Sequence, residues 1–224
     1  MSLFERYVSP ELASEIWERR EEIVLGGQER VATILFSDIR NFTKITAGKP
    51  SAEVLAWLNE YLTAMDEVIR ANAGFLNKFI GDGIMVVFGA PLPAEPSAGA
   101  RHAIECALAM LERVDELNRI HANDTHHPRL AVGVGVHTGC VTAGNVGSQS
   151  RLEYSVIGET VNLASRLEAL TKEFKAPIVM SQETHALVKQ HFSTRLLGET
   201  LVRGFDKKIP VFTATRPLGA EVAS

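Results

Sequence analysis

Two aspartates follow predicted strands, and carboxylates in such positions are suited to holding a divalent cation. Asp38 ends the apolar run 31–38, and Asp82 stands in a Gly-Asp-Gly turn between two further apolar runs. If the first strand and this hairpin are neighbours in one sheet, the two carboxylates meet, and at neutral pH they then need a cation or a shared proton. Rigidly held carboxylate oxygens favour Mg²⁺ or Mn²⁺. Each aspartate has an alternative interpretation, because Asp38 would also cap a helix and Asp82 would also suit a tight turn.

The segment after Asp38, "IRNFT", predicts a turn from a strand into a helix. Backbone N–H groups exposed at such a turn can hold a polyphosphate, so Asn41, Phe42 and Thr43 are candidate substrate-binding residues. Asn41 tolerates the left-handed backbone conformation that this kind of turn requires.

A third candidate pair lies on a predicted helix near the C-terminal third of the chain. Asn162 and Arg166 are four residues apart and therefore share a face, away from the apolar stripe of Leu163, Leu167 and Leu170. An asparagine and an arginine placed in this way can orient a sugar and neutralise the charge of a phosphate. The alternative is that Asn162 caps locally and Arg166 pairs with a surface acid.

Three histidines, His121, His126 and His127, lie in the polar segment "HANDTHHPR". Zinc binding is one hypothesis for such a cluster. We interpret the segment instead as a polar surface loop.

Composition excludes several classes of function. The chain has 224 residues, 46% hydrophobic and 22% charged, which is ordinary for one globular domain. The net charge of −4 gives no indication of nucleic-acid binding. No apolar run approaches the roughly 20 residues of a membrane span. Cys106 and Cys140 are too few for a disulfide framework, which favours a reducing, cytoplasmic location.

The elements that must position these residues are predicted from apolar periodicity and turn signals. The run 31–38 is a strand, Ser51 and Gly74 bound a helix, and the Gly-Asp-Gly turn joins the strands of a β-hairpin. A second long helix covers 100–120, and the segment 130–147 is predicted as a strand, a tight turn and another strand. The order β-α-ββ-α-β, with later additions, predicts an α+β fold, an antiparallel-rich sheet with helices on one face.

Four blocks together resemble the catalytic domains of class III nucleotidyl cyclases: "FSDIRNFT", "NKFIGDGIMVVFG", "GVHTGCVTAGNVG" and "EYSVIGETVNLASRLE". The resemblance implies a ferredoxin-like βαββαβ core with C-terminal additions, working as a head-to-tail homodimer with active sites at the interface. It divides the chain into an N-terminal helical linker (1–24), a catalytic domain (25–216) and a tail (217–224). An upstream sensor domain in the parent protein, which could anchor it to a membrane, is compatible with the linker.

The resemblance also assigns roles to the candidate residues. Asp38 and Asp82 match the aspartates that hold two divalent cations, Mg²⁺ or Mn²⁺, and Ile39 would lend a backbone carbonyl to one ion. Asn162 matches the asparagine that orients the ribose, and Arg166 matches the arginine that stabilises the transition state.

The family's base-contacting and phosphate-contacting positions fall elsewhere in the chain. Lys78 matches the lysine that contacts the base, and Ser155 stands where relatives carry Asp or Thr. The family's C-terminal phosphate-binding lysine falls within "LVRGFDKKIPVF", where Arg203, Lys207 and Lys208 are all candidates. In the resembled dimer one subunit supplies the aspartates and the phosphate turn, and the other supplies the remaining residues.

The residues that contact the base predict the substrate. Lys78 can only donate a hydrogen bond, which suits adenine N1, whereas Ser155 can accept from the adenine amino group but can also donate. We therefore predict ATP as the substrate and cyclic AMP as the product. A guanylate or dual-specificity cyclase, and a nucleotide-binding regulatory module with little turnover, remain the alternatives.

Overall fold

The computed structural model describes residues 26–148, 151–202 and 207–217. The predicted N-terminal linker (1–24) lies outside the described residues, as does the tail beyond its first residue. The strands and helices follow in the order β1 (Gly26–Ile39), α1 (Phe42–Thr46), α2 (Ser51–Ala71), β2 (Phe75–Ile80), β3 (Gly83–Phe88), α3 (Pro96–Ile120), β4 (Val132–Ser148), β5 (Arg151–Ile157), α4 (Glu159–Glu173), β6 (Ile178–Ser181), α5 (Gln182–Val188), β7 (Ser193–Leu201) and β8 (Lys208–Thr215).

The strands form one sheet in the order β2-β3-β1-β4-β6-β8-β7, and β5 pairs with β4. All pairs are antiparallel except β4 with β6. The first four strands, with α2 and α3 as crossovers, have the order of a ferredoxin-like βαββαβ unit. This confirms the predicted α+β fold. No helix within the described residues is long and apolar enough to cross a bilayer.

Helices cover both faces of the sheet, so the prediction of helices on one face is wrong. Side chains alternate between the two faces of a strand. On β4, Val134 and Val136 join the core formed with α2 and α3. The intervening Gly135 faces α4, and a Cβ there would contact the backbone nitrogen of Glu168. The "VGVGV" pattern therefore belongs to a strand with a helix against each face.

The predicted turn within 130–147 is also wrong, because β4 runs without interruption from Val132 to Ser148. The glycines that suggested a turn instead allow α4 to approach the sheet closely. A Cβ on Gly135 would lie 2.5 Å from the carbonyl oxygen of Ala164, and one on Gly139 would lie 2.6 Å from Thr160 Oγ1.

The β2–β3 hairpin forms as predicted and lies against the end of β1. Gly81 adopts a φ of 64°, a left-handed conformation that suits glycine in a two-residue turn. Ile80 pairs with Gly83 across the turn, which leaves Asp82 at its tip. The pairing of Ser37 with Ile84 then brings the end of β1 beside that tip.

We predict that replacement of two glycines by alanine has opposite effects on stability. Gly135→Ala should lower the free energy of unfolding by roughly 1–3 kcal/mol, because the backbone of α4 cannot yield to the added methyl group. Gly99→Ala should raise it by about 0.5–1 kcal/mol, because Gly99 lies within α3 and its added Cβ would make only ordinary contacts, the nearest at 3.5 Å. Urea denaturation of both variants is the measurement. An unchanged or more stable Gly135→Ala protein would contradict the close-approach explanation.

Candidate functional site

The carboxylates of Asp38 and Asp82 meet, as the sequence predicts for neighbouring elements. The N–H of Ile39 donates to Asp82 Oδ2 at 3.3 Å, which fixes the turn against the end of β1. A Cβ at position 83 would lie 3.7 Å from Asp38 Oδ1, so the glycine there leaves space beside the carboxylate. Burial, a hydrogen bond with Asp38 and the charge of Asp38 raise the pKa of Asp82 to about 6. The pair therefore binds a proton far more readily than an isolated aspartate does.

A third carboxylate and one arginine surround this pair, and sequence reasoning missed both. Arg40 Nη1 lies 3.5 Å from Glu168 Oε1 of α4, and its charge also acts on Asp38. Burial raises the pKa of Glu168, and the charge of Asp38 raises it further. Because Arg40 acts on both Glu168 and Asp38, its single positive charge cannot offset the charges of all three carboxylates. Their oxygens are hard ligands that suit Mg²⁺ or Mn²⁺.

The turn after β1 has the left-handed backbone conformation that the sequence predicts for Asn41. Asn41 is in the left-handed region, with φ 57° and ψ 31°, and α1 starts at the next residue. Phe42 packs edge-on against Trp57 with ring centroids 5.8 Å apart, which anchors the turn to the helical layer. The side chains of Asn41 and Thr43 are exposed.

Lys78 and Ser155 come together because β5 folds back beside β2. Lys78 Nζ lies 2.5 Å from Glu153 Oε1. The Ser155 hydroxyl donates to Asn77 Oδ1 at 3.3 Å, and the Asn77 amide donates to the carbonyl of Tyr154 at 3.1 Å. Sequence reasoning missed Asn77 and Glu153. Asn77 directly precedes Lys78, and Glu153 lies two residues before Ser155.

Asn162 and Arg166 lie on a face of α4 turned away from the carboxylates of their own chain. Leu163 and Leu167 are buried, Asn162 is exposed and Arg166 is partly exposed, as predicted. Glu168, which contacts Arg40, lies about 120° and 160° around the helix from Asn162 and Arg166, given roughly 100° per residue. The structure therefore brings Glu168, but not the predicted pair, towards Asp38.

The C-terminal basic candidates lie on another part of the sheet. Lys207 and Lys208 are exposed at the start of β8, and two strands, β4 and β6, separate β8 from β1. Arg203 lies outside the described residues.

Comparisons with known proteins identify the family of the chain. A model of the adenylate and guanylate cyclase catalytic domain matches residues 27–215. An adenylate cyclase of Anabaena cylindrica is 34% identical over 217 residues, which cover 93% of this chain and 42% of that protein. The chain thus spans less than half of that curated relative.

Two solved structures have the same fold. The crystal structure of the adenylyl cyclase CyaB from P. aeruginosa has a TM-score of 0.80 and 33% identity, covering 86% of this chain and 97% of that one. The crystal structure of the guanylyl cyclase Cya2 has a TM-score of 0.75 and 31% identity, covering 85% and 94%. The chain belongs to the adenylate and guanylate cyclase catalytic domain family, as the four sequence blocks indicated.

Proposed function

We propose that the chain is the catalytic domain of an adenylate cyclase, which converts ATP into cyclic AMP and pyrophosphate at sites shared by two copies. The orientation of α4 carries this proposal. Its inner face directs Glu168 towards the carboxylates of the same chain, whereas Asn162 and Arg166 face away from them. A second copy in head-to-tail arrangement would bring its own Asn162 and Arg166 to those carboxylates.

The carboxylate pair fits the divalent cations that the family resemblance implies. Asp38 and Asp82 would hold them, with the backbone carbonyl of Ile39 as a further ligand. Burial, the hydrogen bond with Asp38 and the charge of Asp38 all raise the pKa of Asp82, and a cation between the two carboxylates would offset the cost of holding both charged. When bound, Mg²⁺ or Mn²⁺ ions at such a site lower the pKa of an attacking hydroxyl and offset phosphate charge.

The contacts around Ser155 support adenine as the base. The Ser155 proton is committed to Asn77 Oδ1, so the serine oxygen keeps lone pairs to accept from the adenine amino group. Lys78 would donate to adenine N1 once it leaves Glu153, and that ion pair is weak because both side chains are partly exposed. Guanine presents the opposite pattern at both positions.

The remaining residues would position and stabilise the triphosphate. Asn162 would orient the ribose so that its 3′-hydroxyl attacks the α-phosphorus in line with the departing pyrophosphate. Arg166 would offset the charge that develops there, an effect worth about 10³-fold or more in related phosphoryl transfers. The N–H groups at 41–43 and one basic residue, Arg203, Lys207 or Lys208, would hold the leaving pyrophosphate.

Two alternatives are distinguished by the product. A guanylate or dual-specificity cyclase would form cyclic GMP from GTP, and the similarity to the guanylyl cyclase Cya2 makes this the principal alternative. A nucleotide-binding regulatory module would bind ATP without releasing pyrophosphate. Product analysis with ATP and GTP in the presence of Mn²⁺ separates all three.

We predict that two inactive variants restore activity when mixed. Asp38→Ala and Arg166→Ala should each abolish cyclic AMP formation, because every site in either homodimer lacks one essential group. Random pairing of the two gives about one quarter of the wild-type number of intact sites. The measurement is cyclic AMP formation by the mixture, with heterodimers verified by differential tags. A mixture of Asp38→Ala and Asp82→Ala is the control, since both changes affect the same half-site. Failure of a verified Asp38→Ala/Arg166→Ala heterodimer would contradict the shared site.

We predict that Asn77 sets the preference for ATP over GTP. Asn77→Ala should lower the ratio of kcat/KM for ATP to that for GTP by roughly 2- to 12-fold, the equivalent of one hydrogen bond, because the freed Ser155 hydroxyl can donate to guanine O6. Asn72→Ala is the matched control, since Asn72 directly follows α2 and its amide donates to the carbonyl of Val68 in that helix. An equal loss of activity with both nucleotides would assign Asn77 a structural role alone.

We predict that Asp82 destabilises the cation-free protein at neutral pH. Its pKa, about 6 in the folded state, exceeds that of an unfolded aspartate, so its contribution to the free energy of unfolding decreases as pH rises from about 4 to 6. Asp82→Asn should therefore raise the free energy of unfolding at pH 7.5, by about 1 kcal/mol after screening by solvent, and much less at pH 4.

The measurement is urea denaturation in EDTA at both pH values. Added Mn²⁺ should then stabilise the wild-type protein but not Asp82→Asn. A variant that is less stable than the wild type at pH 7.5 without cations would contradict carboxylate repulsion.

A further inference from the structure

A second cluster of potential metal ligands lies on the face of the sheet that α2 and α3 cover, apart from the aspartate pair. Glu60 lies in α2, His121 directly follows α3, and His127 lies in the loop before β4. One ligand atom from each of these residues lies within 4.8 Å of the other two. The cluster connects α2 with the end of α3 and the loop that follows it, which are distant from α2 in sequence.

His127 has a buried ring nitrogen that no described residue pairs by a hydrogen bond. Its side chain is only 4% exposed, and its Nδ1 lies 3.0 Å from the carbonyl oxygen of Pro128. Because a carbonyl can only accept, Nδ1 carries the proton and Nε2 has a lone pair. Nε2 has no hydrogen-bond partner among the described residues and lies 3.8 Å from Glu60 Oε2. Two hydrogen-bond acceptors thus face each other, and a cation between them would satisfy both.

His121 completes the arrangement at the other carboxylate oxygen of Glu60. Its Nε2 lies 2.8 Å from Glu60 Oε1, and its Nδ1 lies 3.8 Å from Asp124 Oδ2. The outer nitrogen of each histidine therefore faces an oxygen acceptor, Asp124 for one and Pro128 for the other. Outer acceptors of this kind orient the histidine ligands of metal sites.

The two histidine rings lie face to face beside open space. The two imidazole rings are stacked, with centroids 4.0 Å apart and planes at 5°, so two imidazolium ions there would repel each other. A cavity of about 180 Å³, lined by both rings and by Asp124 but not by Glu60, opens beside the cluster and has room for a water molecule.

We propose that Glu60, His121 and His127 bind one Zn²⁺ ion, or a similar borderline transition-metal ion, that ties α2 to the loop between α3 and β4. Imidazole nitrogens select Zn²⁺ over Mg²⁺ and Mn²⁺, which prefer oxygen. Three protein ligands leave a fourth position for water. The rings of His121 and His127 are parallel, so the nitrogen lone pairs in their planes cannot both point at one ion. The partly exposed ring of His121 must therefore rotate for both histidines to bind it. His126 is excluded, since its side chain is 79% exposed and lies 3.4 Å from Glu53 instead.

The test is calorimetric titration of the EDTA-treated full chain with Zn²⁺, in an Asp82→Asn background that disables the other cation site. We expect one ion per chain, a raised Tm and, with Co²⁺, visible absorption bands of a nitrogen-ligated ion. Glu60→Gln and His121→Ala should each weaken Zn²⁺ binding beyond the roughly 10- to 100-fold effect of losing an outer acceptor. Both residues are partly exposed, so these variants should fold, and their Tm in EDTA checks this.

His126→Ala is the matched control from the same loop and should bind Zn²⁺ as the parent does. Absence of Zn²⁺ binding, or undiminished binding by Glu60→Gln and His121→Ala, would overturn the proposal. Equal loss in His126→Ala would also overturn it, because the ion would then lie elsewhere in the loop. The readout is metal binding rather than turnover, so the result is independent of the proposed cyclase activity.

Discussion

The arrangement of the candidate site depends on the register of β1 between β3 and β4. Fourteen residue pairs, from Gly26 with Asn145 to Ile39 with Val132, fix β1 against β4. On its other side, β3 pairs with the end of β1 and carries the hairpin turn to Asp38. The pairing of β1 with β4 and with β3 holds the carboxylates of Asp38 and Asp82 together despite their repulsion. The raised pKa of Asp82 is the electrostatic consequence of that fixed geometry.

The glycines of β4 determine which residues approach this pair. Because Gly135 has no side chain, α4 lies close to the sheet, and Glu168 reaches Arg40 beside Asp38. The same close packing fixes the rotation of α4 and turns Asn162 and Arg166 outward. Each chain thus holds both halves of the proposed site in positions where they do not meet within it. Under the proposed function, this separation is the physical reason for a dimer.

The two proposed cation sites differ in ligand chemistry and in position. Asp38 and Asp82 offer oxygen alone, which suits Mg²⁺ or Mn²⁺, whereas His121 and His127 add imidazole nitrogen, which suits Zn²⁺. The sheet separates these environments, since Asp38 lies towards α4 and Glu60 belongs to α2 on the opposite face. Under both proposals, Mg²⁺ or Mn²⁺ would bind at the aspartates and Zn²⁺ at the histidines, so the ions would not compete for one site.

The sequence by itself determined the βαββαβ order, the hairpin with Asp82 at its tip and the outward face of Asn162 and Arg166. These features follow from apolar periodicity and turn chemistry, which act over a few residues. The tertiary structure alone decided that the "VGVGV" glycines serve helix approach rather than a turn, and that Asn77 holds Ser155. It also brought His127 beside Glu60 of α2, whereas the sequence indicated only a polar surface loop around the histidines. Each of these depends on contacts between distant segments, because strand register and helix packing, not local spacing, set the distances between their side chains.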